Sequence, residues 1–334
     1  MNLRGQTARF LIGVLLLTLV CFTFSTCGGT GGLELAGGGT SGTGVSTGAI
    51  SGFGSVEMNG VHYLTDNNVS PGFITIKMFH GMDHSSQVDR DLFRVGMVVT
   101  IHHDPNDNNA LEIEYWDNLQ GPIAAKNSGA DNTLTVLGQT VVVGDAAVFA
   151  SLDLNEIVEV SGFVDSAGRI RATYIERNPQ SPHHVGEFEV KGFVSGLSSS
   201  GFRLGPLPDG TGMNVTVSYT PTVGIGLDNG MYVQVVTADP QPVSGTISAT
   251  RIDKLTPRTV FPEKARVDLE GLVTAPRSGS GNVLSFPVEG KRVQTDDATQ
   301  YVGGTAANIQ PDVRLQVQGT ENGGVLSAGN IIFR

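Results

Sequence analysis

Cysteine is nearly missing from this chain, and the little present cannot staple a fold. Only Cys21 and Cys27 occur in 334 residues. Cys21 lies inside the apolar run Phe10 to Phe24, so a disulfide within a mature exported domain is excluded. Charge is sparse at 16%, aromatics reach 7%, and Trp occurs once, as Trp116. Basic residues number 21 against 32 acids, for a net charge of −11. No basic stripe appears anywhere, which argues against a nucleic-acid partner, because phosphate binding needs clustered Lys and Arg. Helical spacing is missing too. Beyond the N-terminus no segment sustains apolar residues at i, i+3, i+4 and i+7, so helices should be few and short.

What is abundant is glycine, at 45 residues, and short runs of Val, Ile and Leu bounded by Gly, Asn, Asp or Pro. That is the signature of many short strands and turns. One phrase recurs. "GRIRATYIE" (168–176) and "GTISATRID" (245–253) share Gly-x-Ile-x-Ala-Thr-x-Ile and a terminal acid, "GVLSAGNIIF" (324–333) keeps its Gly, Ala and Ile, and "NNALEIEYW" (108–116) is a looser form. Strand alternation places Ile170, Ala172 and Tyr174 on one face and Arg171, Thr173 and Ile175 on the other. Each phrase follows an alternating strand: "VGMVVTIHH", "NEIVEVSGF", "NGMYVQVVT" and "PDVRLQVQG". Turn segments such as "DPNDNN" and "DSAG" join the pairs.

The front of the unit repeats as well. An opening strand carries Gly and then an apolar residue, at Gly52-Phe53, Gly121-Pro122-Ile123, Gly192-Phe193-Val194 and Gly271-Leu272-Val273. A hairpin follows in three copies, "SVEMNGVHY", "LTVLGQTVVV" and "LSFPVEGKRV", and Asn59-Gly60 is a strong type I′ turn signal. The expected fold is therefore all-β: four tandem small five-stranded β-barrels of OB-like type, at 49–117, 118–178, 185–255 and 265–334. Closure into barrels would remove exposed edges. An extended sandwich or solenoid is disfavoured because these units exceed typical solenoid repeats in length. The Pro-rich stretches 177–184 and 256–264 read as semi-rigid spacers.

The phrases "ISGFGSVEMNGVHY", "GPIAAKNSGADNTLTVLGQTVVV" and "VEVSGFVDSAGRIRATYIE" closely resemble bacterial lipoproteins built of tandem copies of domain of unknown function 5666. The resemblance spans residues 46–334. It implies a lipidated, periplasm-facing β-protein and supplies no catalytic residues.

The N-terminus fits that picture. Arg4 and Arg9 precede an apolar run of about 15 residues, shorter than the roughly 20 of a stable span. Small residues follow, as in a secretory signal peptide at 1–26. An uncleaved signal anchor is the competing reading. Phe24-Ser25-Thr26-Cys27 resembles a lipobox, with Phe and Thr in place of the usual Leu and Ala or Gly, which makes Cys27 the lipidation site and the bilayer a partner. Residues 27–48, rich in Gly, Ser and Thr, read as a flexible tether. Gly28, where Asp commonly signals inner-membrane retention in such lipoproteins, favours the outer membrane over the inner.

Candidate chemistry is thin. His62, His80, His84, His102 and His103 crowd the first unit and form the candidate metal set. Against it, "HGMDHSSQ" reads as a loop, and adjacent histidines on a strand face opposite sides. "DPNDNNALE" lacks the Gly and the terminal acid of a calcium loop and reads as a turn. "GVSTG" (44–48) matches a nucleophile elbow only in letters, because linker flanks it on both sides. Tyr63, Phe73, Tyr115 and Trp116 are the candidate ligand platform, weighed against ordinary packing. The expected function is a membrane-tethered, non-enzymatic envelope module that binds an envelope protein or polysaccharide or serves a structural role, without cofactor. The alternative is an envelope enzyme or metal-handling protein using the His-rich first domain. Cys27→Ser should release the protein into the soluble periplasmic fraction. Retention of that variant in membranes, read by fractionation, would overturn the lipid anchor.

Overall fold

Alternating apolar and polar residues, cut every few positions by turn formers, leave this chain little but β-structure to adopt. A computed structural model describes residues 43–179, 186–212, 215–220, 222–224 and 226–334. The expected signal peptide, Cys27 and the expected tether as far as residue 42 lie outside the described residues, as do residues 180–185 of the first Pro-rich stretch. Among the described residues no helix is long and apolar enough to cross a membrane.

The strands fall into four coils. Coil 1 holds β1 (Gly44–Gly52), β2 (Val56–Met58), β3 (Val61–Tyr63), β4 (Ile76–Phe79), β5 (Met82–Asp83), β6 (Val98–His103) and β7 (Ala110–Tyr115). Coil 2 holds β8 (Leu119–Asn127), β9 (Thr133–Val136), β10 (Gln139–Val143), β11 (Ile157–Val164) and β12 (Ile170–Arg177). Coil 3 holds β13 (Phe188–Ser195), β14 (Gly201–Gly205), β15 (Val215–Ser218), β16 (Tyr232–Thr237) and β17 (Thr246–Leu255). Coil 4 holds β18 (Arg266–Leu272), β19 (Ser278–Ser280), β20 (Val283–Val288), β21 (Lys291–Gln294), β22 (Gln300–Val302), β23 (Arg314–Asn322) and β24 (Val325–Phe333).

The expectation of four small closed OB-like barrels is overturned. The all-β chain is arranged as a β-solenoid of stacked coils. In each coil a later strand winds back to the opening one, β6 to β1, β11 to β8, β16 to β13 and β23 to β18. Hydrogen bonding does not stop at that return. β8 pairs onward with β13, through Leu119 with Val190 and Gln120 with Glu189, and β1 pairs in parallel with β18 from Gly44–Arg266 to Thr47–Leu269. Two continuous sheets result, of 10 and 14 strands. The edges that barrel closure was expected to remove are covered by the neighbouring coil instead, which meets the same requirement. Side chains follow suit, since a single apolar core runs through coils 2 and 3. Val98, Phe163 and Leu272 then join coils 1, 2 and 4.

Two sequence features take on new meaning. The repeated Ala-Thr marks a β-bulge. Pairing slips by one residue at the same place in all four closing hairpins, between Ser161 and Gly162, Val236 and Thr237, Gln318 and Gly319, and His102 and His103. The extra residue follows the repeated alanine each time, as Thr173, Thr250, Gly329 and Leu111. Thr250 Oγ1 donates to the Val236 carbonyl at 3.1 Å, within its own bulge, whereas Thr173 Oγ1 donates to the Gly96 carbonyl of coil 1 at 2.6 Å and lies 3.2 Å from the Ser161 carbonyl. Strict alternation therefore ends at Thr173.

The opening glycine of coil 1 is Gly48, not Gly52. Gly48, Gly121, Gly192 and Gly271 pair with Val99, Val158, Val233 and Leu315, all at one position of the returning strand. A Cβ there would strike the hairpin folded over it: Asn59, Leu137, the Gly205 carbonyl and Glu289 respectively. Residues 44–48 looked like tether because a strand of Gly, Ser and Thr has the composition of one. The segment 256–264 is no spacer either. Phe261 is buried in the coil 4 core, and the Arg258 carbonyl accepts from Thr47 Oγ1 at 3.2 Å.

Gly121→Ala places a Cβ 2.8 Å from Leu137 Cγ. It should destabilise the protein by about 1–3 kcal/mol in denaturant melts. Gly144→Ala, with nothing within 4 Å of the added carbon, should change the midpoint little; equal effects of the two would refute the close-approach account.

Candidate functional site

The outward face of each opening strand carries polar residues, and stacking buries them. One and three positions before the glycine that the coils share stand Thr47 in coil 1, Asn118 and Gln120 in coil 2, Glu189 and Lys191 in coil 3, and Asp268 and Glu270 in coil 4. Burial makes such groups need partners, and Thr47, Lys191, Asp268 and Glu270 find theirs across a seam.

At the seam of coils 1 and 4, Asp268 accepts from Asn59 Nδ2 at 2.9 Å, Gln316 Nε2 at 2.8 Å and Gln318 Nε2 at 3.0 Å. Burial raises its pKa, against these donors. Glu270 accepts from the Ala49 amide at 3.1 Å and Arg314 Nε at 3.0 Å. Beside this seam opens a cleft of about 470 Å³ lined by Tyr63, His103, Arg266, Asp268, Gln318 and Asn330, among others.

Between coils 2 and 4, Glu289 sits in the β20–β21 turn and accepts from the Val164 and Leu272 amides at 3.1 Å. Arg258 lies 3.7 Å away. Burial pushes this carboxyl up to about 7, even though Arg258 and the two amides favour its ionised form.

The densest cluster lies where coils 1, 2 and 3 meet. Lys191 Nζ is fully enclosed and bonds Glu189 at 2.5 Å and Asp117. His80 faces the same two carboxylates, its Nδ1 3.4 Å from Asp117 and 3.8 Å from Glu189, while its Nε2 is 3.5 Å from Glu159. Tyr115 donates to Glu159 at 2.6 Å, and Lys191 lies 5.6 Å from the Trp116 ring centre. Burial alone would lower the imidazole pKa, but Asp117 and Glu159 override it and raise it to about 9.

A tight turn delivers His80. His80 and Gly81 have φ of 49° and 75°, and Phe79 pairs with Met82, so "HGMDH" is a β-hairpin and not a helix. Gly81 has no alternative, since a Cβ would meet Trp116 at 2.8 Å.

The structure scatters the other candidate histidines. His84 shares a cavity with His80, and its Nδ1 contacts Gln87 at 2.9 Å. His62 is exposed, 3.4 Å from Glu57. His102 and His103 face opposite sides, and buried His103 contacts Ser46 Oγ at 3.1 Å. Among the aromatic candidates, Tyr115 and Tyr63 are core residues, with Tyr63 donating to Ser46 at 2.7 Å; Trp116 packs at the coil junction, and Phe73 is half-buried before β4. "GVSTG" lies wholly within β1, without the strand-turn-helix that an elbow requires. Sequence reasoning missed Asp117, Glu159, Glu189 and Lys191. The available signal was charge inside otherwise apolar strands, in "VEVSGF" and "FEVKGF".

Glu289 generates a pH prediction. Its folded pKa lies above the ordinary carboxylate value of 4.5, so the native state holds the proton more tightly and stability falls as pH rises from 4.5 through 7. Glu289→Gln should remove this dependence, a difference of about 3 kcal/mol across the window. Parallel pH–stability curves for the two proteins would contradict it.

No curated protein matches the chain. Residues 120–176 and 270–331, which correspond to coils 2 and 4 from just before the opening glycine into the closing strand, match the family described as Domain of unknown function (DUF5666); the chain therefore carries tandem copies of that domain.

Proposed function

We propose that the chain is a non-enzymatic binding or structural module of the bacterial envelope, exported and tethered through lipidated Cys27, with the outer membrane as its site. Its partner is an envelope protein or polysaccharide. One observation carries this reading: the titratable side chains brought together are buried at seams between coils, where they fasten sheet to sheet, while the open cleft between coils 1 and 4 presents the Gln318 and Asn330 amides, Thr320 and the Arg266 guanidinium. Groups of that kind suit recognition of hydroxyl-rich or peptide surfaces more than bond making. The acidic balance of 32 acids against 21 bases supports a partner other than nucleic acid. The alternative, metal handling by the first coil, has a single observation in its favour, the His80 cluster.

A photocrosslinking residue at Arg266 or Asn330, both exposed at the cleft, should capture a reproducible envelope protein or glycan in intact cells. The same probe at exposed Val283 should not. Equal capture from all three positions would remove the cleft from the account. No capture together with metal-dependent hydrolysis by the purified protein would replace the binding reading with an enzymatic one.

A further inference from the structure

We propose that His80, Asp117 and Glu189 form a site for one divalent transition-metal ion of the zinc class, which ties coils 1 and 3 together at the start of coil 2. This does not depend on the envelope reading. The ligand atoms of the three residues all lie within 4.8 Å of one another. The 3.4 and 3.8 Å separations run from His80 Nδ1 to Asp117 Oδ1 and Glu189 Oε1, the two oxygens that Lys191 also holds, and they are too long for good hydrogen bonds.

Burial makes the arrangement incomplete without a cation. The His80 side chain is 4% exposed, yet among the described residues neither ring nitrogen has a hydrogen-bond partner, and neither does the buried Asp117 Oδ2. Lys191 already bonds Asp117 through Oδ1, so Oδ2 is the oxygen left to offer. Three carboxylates, Asp117, Glu189 and Glu159, surround Lys191 and His80 among the described residues, and a divalent ion in place of any proton on the imidazole adds positive charge where buried carboxylates need it.

The surroundings are those of a metal centre. Glu159 faces Nε2 of the same imidazole at 3.5 Å and is itself held by the Tyr115 hydroxyl at 2.6 Å. A carboxylate behind a ligating histidine fixes its tautomer and ring orientation. His80 and Glu159 also line a cavity of about 410 Å³, which gives the ion a route in. One imidazole nitrogen with two carboxylates suits zinc or cobalt better than calcium or magnesium, which take oxygen alone.

The test titrates the purified full chain, stripped by chelator, with Co²⁺. One equivalent should bind with visible ligand-field bands, and Zn²⁺ should displace it. His80→Gln should abolish the bands. Glu159→Gln, which alters a positioning residue, should weaken affinity about 10–100-fold, while the His62→Gln/His102→Gln double variant should leave binding unchanged. Bands that persist in His80→Gln, or vanish in the double variant, overturn the proposal. Should His80→Gln fail to fold by circular dichroism, zinc-edge anomalous diffraction from the unaltered protein decides. A peak about 2 Å from His80 Nδ1 supports the site, and a peak elsewhere or none rejects it.

Discussion

The fold depends on how four opening strands bury polar outer faces against one another. An opening strand in this protein is apolar toward its own coil, with Leu119, Val190 and Leu269 fully buried one position inside the polar pairs. Toward its neighbours it carries charge and amide. Apolar seams tolerate slippage, because hydrophobic contact is not directional. A seam built on Asp268 with three side-chain amide donors, or on Lys191 between two carboxylates, accepts one register only, since any shift strands a buried charge. The same requirement explains two kinds of junction. Coils 1 and 4 meet through parallel β1 and β18, coils 2 and 3 through antiparallel β8 and β13, and the polar partners differ accordingly.

What could be read from the sequence was whatever is local. The strand periodicity, the Asn59-Gly60 turn and the four-fold repetition are properties of neighbouring residues, and each appears in the structure, with φ of 59° and 76° at that turn. The bulge was visible as Ala-Thr but not as a bulge, because an extra residue is defined by its partner strand. Gly48 was hidden by composition. Its strand is so rich in small residues that it looks like linker, and only pairing with Val99 reveals it.

Coil closure and coil stacking present the same periodicity, so sequence could not choose between them. Both ask for alternation and for covered edges. Whether β8 ends at β11 or continues to β13 is decided by Leu119 and Gln120 meeting Val190 and Glu189. That contact joins residues about 70 positions apart in the chain, beyond any local window. The His80 cluster is illegible for a related reason. Its members come from the β4–β5 turn, the end of β7, β11 and β13, and only His80 belongs to a recognisable motif.

This arrangement locates chemistry between copies and not within them. The two matched segments, 120–176 and 270–331, each contain complete strands, but their buried polar side chains find partners elsewhere. Glu159 meets His80 and Tyr115 of coil 1, and Glu289 meets the Val164 amide of coil 2. Cut out alone, either segment would expose or strand these carboxylates, and a coil of this size has little surplus core to compensate. Repetition thus supplies strands of one kind, while divergence in the outward residues decides which coil sits on which. It follows that residues shared by the copies, such as the opening glycines and the bulge alanines, carry packing. The residues that differ, such as Lys191 where coil 4 has Glu270, carry whatever is specific to this protein.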